Sequence, residues 1–322
     1  MNAAPWGGSL MALPHQGGRE KHAQGRAEER VMMKLSYITD EATQNFEEAI
    51  CLARENGLDG LELRSVENKP VEEIPSMVWQ TWKRRLDEEG LVVSNIAGSF
   101  LKCEYSTEQM RRELDKLRRL CDAADAFACD TIRGFCFLAP QKGAVEPEHL
   151  VPGFEEAGKI LAKHGKRLLL EADPSVNTSN HQGLAALLKL LDPALFGAIY
   201  DPGNDLFDPL QENPFPDGYE AIAPFMVHVH IKDAVYDERY EPVCVAPGSG
   251  LVGYDALLRR LKQDGYNGWL SLEPHYRKDV ELTREQMLLP GGSAFSRGGA
   301  ASLKESADAL KRLLEGCHDS HS

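Results

Sequence analysis

The chain has 322 residues, 42% of them hydrophobic, with a formal net charge of -14 and seven cysteines. That acidity excludes a general nucleic-acid binder, because the phosphate backbone demands basic surface. The chain has no run of about 20 apolar residues, so no membrane span is expected, and the cysteines, none of them in a CxxC pair, exclude a zinc knuckle or redox motif and fit a reducing, cytoplasmic compartment.

Residues 1–32 are rich in Gly, Ala and charge and lack the continuous apolar stretch of a signal peptide, so a disordered leader is expected there. Residues 33–316 read as one catalytic domain and 317–322 as a flexible tail. KLSYITD is the first strand, followed by a helix from Thr43 to Asn56 that Gly57 ends. LDGLELR comes next, with a helix from Pro75 to Glu89 that stops at Gly90. After LVVSNIAGS, the helix from Thr107 to Phe127 carries Met110, Leu114, Leu117, Leu120 and Cys121 at helical spacing. TIRGFCFL, a helix near Phe154 to His164, RLLLEA and a helix near Gly183 to Leu191 follow. The series continues with FGAIYD, a short helix near Gly218 to Ala223, MVHVHIK, and a helix from Tyr254 to Asp264. GWLSLEP is the last strand, and Ser302 to Leu314 the closing helix.

Eight strands alternating with eight helices predict an α/β fold, a single (β/α)8 TIM barrel. RLLLEA and FGAIYD are apolar on both faces, as strands between a barrel core and a helical ring should be. The rival, a doubly wound open sheet, lacks a GxGxxG after any early strand. The long loop from Tyr276 to Gly299 follows the eighth strand, which puts it on the catalytic face as a lid or dimer arm.

Four potential ligands stand at the C-terminal ends of four strands: Glu171, Asp201, His230 and Glu273. In a barrel those ends converge on the face that holds the chemistry. Three carboxylates and an imidazole form a hard, oxygen-rich set suited to one divalent metal ion, Mn²⁺, Mg²⁺, Co²⁺ or Zn²⁺. Each position also has a plainer reading. An arginine could compensate Glu171, and Asp201 in DPGN could be a turn residue. His228 and His230 point to the same side by strand parity; His230, nearer the strand end, is the expected ligand, with His228 one layer deeper. Arg64, Lys102, Arg133 and Lys232 put an excess of cations on this face, which suggests an anionic sugar or polyol. The alternative keeps Arg64 and Arg133 in internal pairs with carboxylates such as Glu62. Asn204, His228 and His275 complete the expected substrate contacts.

From Lys34 to the last helix the chain resembles the xylose isomerase-like barrels of the sugar phosphate isomerase/epimerase superfamily. The resemblance rests on GLDGLELR, LEADPSVN, IYDPGN, HVHIKD and PGSGLVGYDALLRRLKQDGYNGWLSLEPH. It implies that Glu171, Asp201, His230 and Glu273 bind one divalent metal and that Glu171 and Glu273 also serve as acid and base. The implied reaction is isomerisation or epimerisation of a keto- or aldo-sugar or polyol derivative through an enediolate. Dehydration of the inosose or dehydroshikimate type, and a non-catalytic sugar-binding barrel, are the alternatives. Asn204, Tyr236 and Asn177 stand where ketose 3-epimerases of the superfamily commonly carry His, Arg and Glu, implying a retained metal set inside a different substrate shell. The implied partner is a small molecule, with no nucleic acid and no membrane; self-association into a homo-oligomer is left open.

Overall fold

Short apolar runs alternating with amphipathic helices close into a barrel in the computed structural model, which describes residues 33–317 except 141–142, 281, 284–285 and 288–289. The barrel strands are β1 (Lys34–Ile38), β2 (Gly60–Leu63), β3 (Val92–Phe100), β4 (Thr131–Gly134), β5 (Arg167–Glu171), β6 (Phe196–Tyr200), β7 (Met226–Ile231) and β8 (Trp269–Leu272). Each pairs in parallel with its sequence neighbour, and β8 closes on β1 through Lys34 opposite Trp269 and Tyr37 opposite Leu272. Strands covered on both faces need apolar residues on both, and every residue of β2 and β6 is buried.

Around them run α1 (Phe46–Glu55), α2 (Ser76–Glu88), α3 (Thr107–Ala126), α4 (Pro152–His164), α5 (His181–Leu188), α6 (Tyr219–Ile222), α7 (Tyr254–Gln263) and α8 (Gly299–Gly316). Their starts are chemical: the side chains of Asn45, Ser106 and Asn180 accept the N–H of Glu48, Gln109 and Gly183. Helix α7 shows the ring's amphipathic logic, burying Tyr254, Leu257, Leu258 and Leu261 from one stripe. Between ring and barrel, Phe154 meets Phe137 and Phe196 edge-on at centroid distances of 6.2 and 5.7 Å. Each such ring, fully buried, contributes about 1.5–3 kcal/mol.

The structure trims and adds to the expected elements. Strand β4 ends at Gly134, not at Leu138, because the chain leaves the barrel there and Phe137 adopts a left-handed φ of 50°. Pro214 and Pro216 precede α6 and leave it only four residues long. Two hairpins were invisible to periodicity: Ser65–Val66 with Lys69–Pro70, and Asp233–Tyr236 with Pro242–Val245. Cys317 caps α8 and is buried, so it belongs to the body of the fold, not to a tail. The leader 1–32 and residues 318–322 lie outside the described residues. After β8 the chain forms a short helix, Gly292–Ser296, whose Phe295 is fully buried and whose Ser296 hydroxyl donates to Asp40 O at 2.8 Å. That part of the expected lid packs onto the barrel mouth. No helix among the described residues is long and apolar enough to cross a membrane.

Candidate active site

Barrel closure brings the four strand-end residues together. Glu171 is the last residue of β5, Asp201 follows β6, His230 sits in β7, and Glu273 follows β8, its N–H still donating to Ile231 O at 3.1 Å. All four are buried, and one donor atom from each lies within 4.8 Å of the others. His230 Nδ1 stands 3.0 Å from Glu171 Oε1 and 3.5 Å from Glu273 Oε2.

Asp201 combines two roles that the DPGN sequence left as alternatives. Its Oδ1 accepts the Gly203 N–H at 3.0 Å and caps the short helix Pro202–Asp205. Its Oδ2 is buried without a hydrogen bond and lies 2.6 Å from Lys232 Nζ. A Cβ at position 203 would come within 2.7 Å of Lys232 O, so Gly203 lets this turn pass against the end of β7. A convergent set of three buried acids and one imidazole, with Asp201 Oδ2 met by the Lys232 ammonium alone, fits a hard divalent cation.

Each glutamate divides its oxygens between an arginine and the centre. Glu171 Oε2 accepts from Arg133 at 3.1 Å while Oε1 faces His230 and Asn204. Glu273 Oε1 accepts from Arg64 at 2.7 Å while Oε2 faces His230 and Lys232, the latter at 3.1 Å. Burial works against ionisation of both, yet Arg133 and His230 hold Glu171 below its ordinary value. For Glu273, Lys232, His275 and His230 overcome burial and hold it well below. Burial dominates at Asp201, which is pushed up to about 6 against the pull of Lys232.

Glu62 is the residue the sequence reading gave too little. Its Oε2 lies 2.9 Å from His228 Nε2 and its Oε1 3.2 Å from His230 Nε2, with Asn95 Nδ2 donating to Oε1 at 2.8 Å. An ionised carboxylate only accepts, so both imidazoles donate from Nε2, and His230 Nδ1, which faces Glu171 and Glu273, would offer its lone pair to a cation bound at the centre. The available signal was strand parity in GLELR, which turns Glu62 inward as it does the histidines of HVH. The alternative of internal pairs for the two arginines is what the structure has, though with other acids than Glu62: Arg64 pairs with Asp40, Glu41 and Glu273. Arg133 pairs with Glu171 and donates to Gly98 O and Ala97 O, each at 3.1 Å.

Above the centre opens a cavity of about 440 Å³, lined by Arg64, Lys102, Arg133, Asn204, Lys232 and His275 among others. His228, expected as a substrate contact, does not line it; one strand layer deeper, it is sealed against Glu62. Lys102 pairs with Asp173 at 2.7 Å, and Phe135 lies under Lys102 and Arg133 at 4.7 and 5.1 Å. Met287 and Pro290 to Gly292, from the segment after β8, form part of the rim. The expected excess of positive charge is not what the walls present. Arg64, Lys102, Arg133 and Lys232 each have a carboxylate partner, and Glu72, Glu171, Asp173 and Glu273 share the same walls. Counting cations at strand ends missed the acids that barrel closure sets beside them.

A family model described as the xylose isomerase-like TIM barrel matches residues 50–315. The inosose dehydratase of Geobacillus kaustophilus (strain HTA426) is 25% identical over 148 residues, which are 40% of this chain and 45% of that protein. The chain thus spans under half the length of this curated relative. A solved xylose isomerase-like TIM barrel protein from Mycobacterium smegmatis, in complex with magnesium, superposes with a TM-score of 0.65 at 17% identity, covering 88% of this chain and 97% of that one. A D-allulose 3-epimerase from Methylomonas sp., in complex with D-allulose, gives a TM-score of 0.65 at 18% identity, covering 87% and 97%. At such identities the likeness to solved structures speaks to the fold.

Proposed function

Because the chain belongs to the xylose isomerase-like TIM barrel family, we propose that it is a divalent-metal-dependent isomerase or epimerase of a keto- or aldo-sugar or polyol derivative. One observation carries this reading: Glu171 and Glu273 approach His230 Nδ1 from different strand ends, each with one oxygen anchored to an arginine and the other turned to the centre. Glu171, Asp201, His230 and Glu273 would hold the cation, which when bound supplies Lewis-acid polarisation of a carbonyl and its neighbouring hydroxyl.

The chain's own groups handle the proton. One glutamate, kept ionised by the cations around it, removes the hydrogen next to the carbonyl. The other returns a proton, to the neighbouring carbon in an isomerisation or to the opposite face in an epimerisation. Lys232, charged and buried between Asp201 and Glu273, offsets negative charge as the enediolate develops. Arg64 and Arg133 fix the carboxylate planes and so the geometry of transfer. The magnesium and D-allulose complexes of the structural neighbours support the cofactor and the substrate class.

Dehydration is the second reading. The sequence match to an inosose dehydratase favours it, as does His275 Nδ1, 3.6 Å from Glu273 Oε1 in the cavity wall. From there an imidazolium can protonate a departing β-hydroxyl. The test is solvent-deuterium incorporation by the metal-loaded chain across keto-sugars, inositol ketones and sugar acids. Isomerase or epimerase chemistry returns products of conserved formula carrying deuterium; dehydration returns products lighter by one water. Binding of these compounds with no exchange in any of them would leave a non-catalytic sugar-binding barrel.

A further inference from the structure

Beside the four-residue centre lies a second convergence of buried acids and one imidazole. Asp40 and Glu41 come from the turn after β1, and Glu273 and His275 from the segment after β8; all are buried. Donor atoms of Glu41, Glu273 and His275 lie within 4.8 Å of one another. Glu273 belongs to both sets, offering Oε2 to the first and Oε1 to the second.

A guanidinium fills the middle of the second set. Arg64 donates from Nε to Asp40 Oδ1 at 2.8 Å, from Nη2 to Glu41 Oε1 at 2.7 Å and from Nη1 to Glu273 Oε1 at 2.7 Å. The donors exceed what the guanidinium satisfies. Asp40 Oδ2 is buried with no hydrogen bond, and His275 Nδ1, though 2.8 Å from Glu41 Oε1, has no aligned hydrogen bond either. Arg277 Nη1 approaches the other Glu41 oxygen at 3.6 Å. Phe295 stacks on both cations, 5.4 Å from Arg64 and 4.9 Å from Arg277, and so holds the Arg64 guanidinium where it is.

We propose that Arg64 occupies a second divalent-cation site, formed by Glu41, Glu273 and His275 with Asp40 at its edge, and thereby keeps this barrel mononuclear. Three buried carboxylates require compensating positive charge, which a metal or a rigid guanidinium fork can supply. Arg64 supplies it from within the chain and holds Glu273 Oε1 away from the first centre, so that Glu273 serves that centre through Oε2 alone. The proposal depends on the metal centre under Proposed function only through this shared glutamate.

The experiment measures Mn²⁺ bound per full-length chain by equilibrium dialysis and elemental analysis, together with electron paramagnetic resonance, for the parent, Arg64→Ala and Arg64→Lys. The expected stoichiometries are one, two and one, with a spin-coupled Mn²⁺ pair only in the alanine variant. If Arg64→Ala fails to fold alone, Mn²⁺ is expected to restore its melting transition. A parent that binds two ions overturns the proposal, as does a folded Arg64→Ala chain that binds no more than the parent or one that Mn²⁺ cannot refold. A parent that takes none while Arg64→Ala takes one would sink the four-residue centre and leave the second site standing.

Discussion

Glu62 Oε1 stands 3.2 Å from His230 Nε2, across the imidazole from Glu171, which lies 3.0 Å from Nδ1. Glu62 holds the Nε2 proton, so that Nδ1 is the nitrogen that would give its lone pair to a bound cation. The Glu62→Gln variant should keep its fold yet bind Mn²⁺ about 10–100-fold more weakly, the usual scale for a partner behind a metal ligand. His230→Asn should lose more of the affinity and His228→Asn less, because His228 acts on the centre indirectly, through Glu62 and its edge contact with the His230 ring. A Mn²⁺ titration of the three variants decides this; equal losses from the two histidine variants would show that both bind or that the wrong one was chosen.

Proton transfer gives a second expectation. In Glu273→Gln the amide fills the same volume but cannot take a proton, so solvent exchange should fall by about 10²–10⁴-fold. Arg64 and Lys232 lose a charged partner in the same variant, with a stability cost of up to ~3–5 kcal/mol for a broken buried pair. Circular dichroism and urea melts separate the two effects. Retained exchange in a folded Glu273→Gln chain would remove Glu273 from the acid/base role.

The third concerns pH. Glu212 accepts the N–H of His181 at 2.6 Å at the start of α5, and burial together with nearby Asp205 pushes its carboxyl from 4.5 up to about 7. A raised folded-state value means the native chain binds this proton more tightly than the unfolded chain. Between 4.5 and about 7, therefore, the native state holds more protons, and the Glu212 contribution to stability falls as pH rises through that window. Urea melts on either side of it should show this slope, and Glu212→Gln should lose it; an unchanged slope in the variant would assign the effect elsewhere.

Substrate charge gives the fourth. Every strand-end cation in the cavity wall faces an acid, so an anionic substrate must break an existing pair to gain a partner. A neutral sugar or polyol should be turned over in preference to its phosphorylated or carboxylated counterpart, with little dependence on salt. A preference for the anionic member that vanishes at high ionic strength would reverse this expectation.

The sequence by itself determined the barrel, because its eight strands and their helices are written in local periodicity, with caps such as Asn45, Ser106 and Asn180 marking helix starts. It also placed Glu171, Asp201, His230 and Glu273 on one face, since a polar residue ending an apolar strand of a barrel has only one face to occupy. The pairings belonged to the tertiary structure. Arg64 meets Glu273, 209 residues away, and His228 meets Glu62, 166 residues away, only because the eighth strand closes on the first. No local pattern encodes such distances. Strand parity shows that Glu62, Arg64, His228 and Lys232 turn inward; which acid neutralises which cation depends on the register of strands brought together only when the barrel closes.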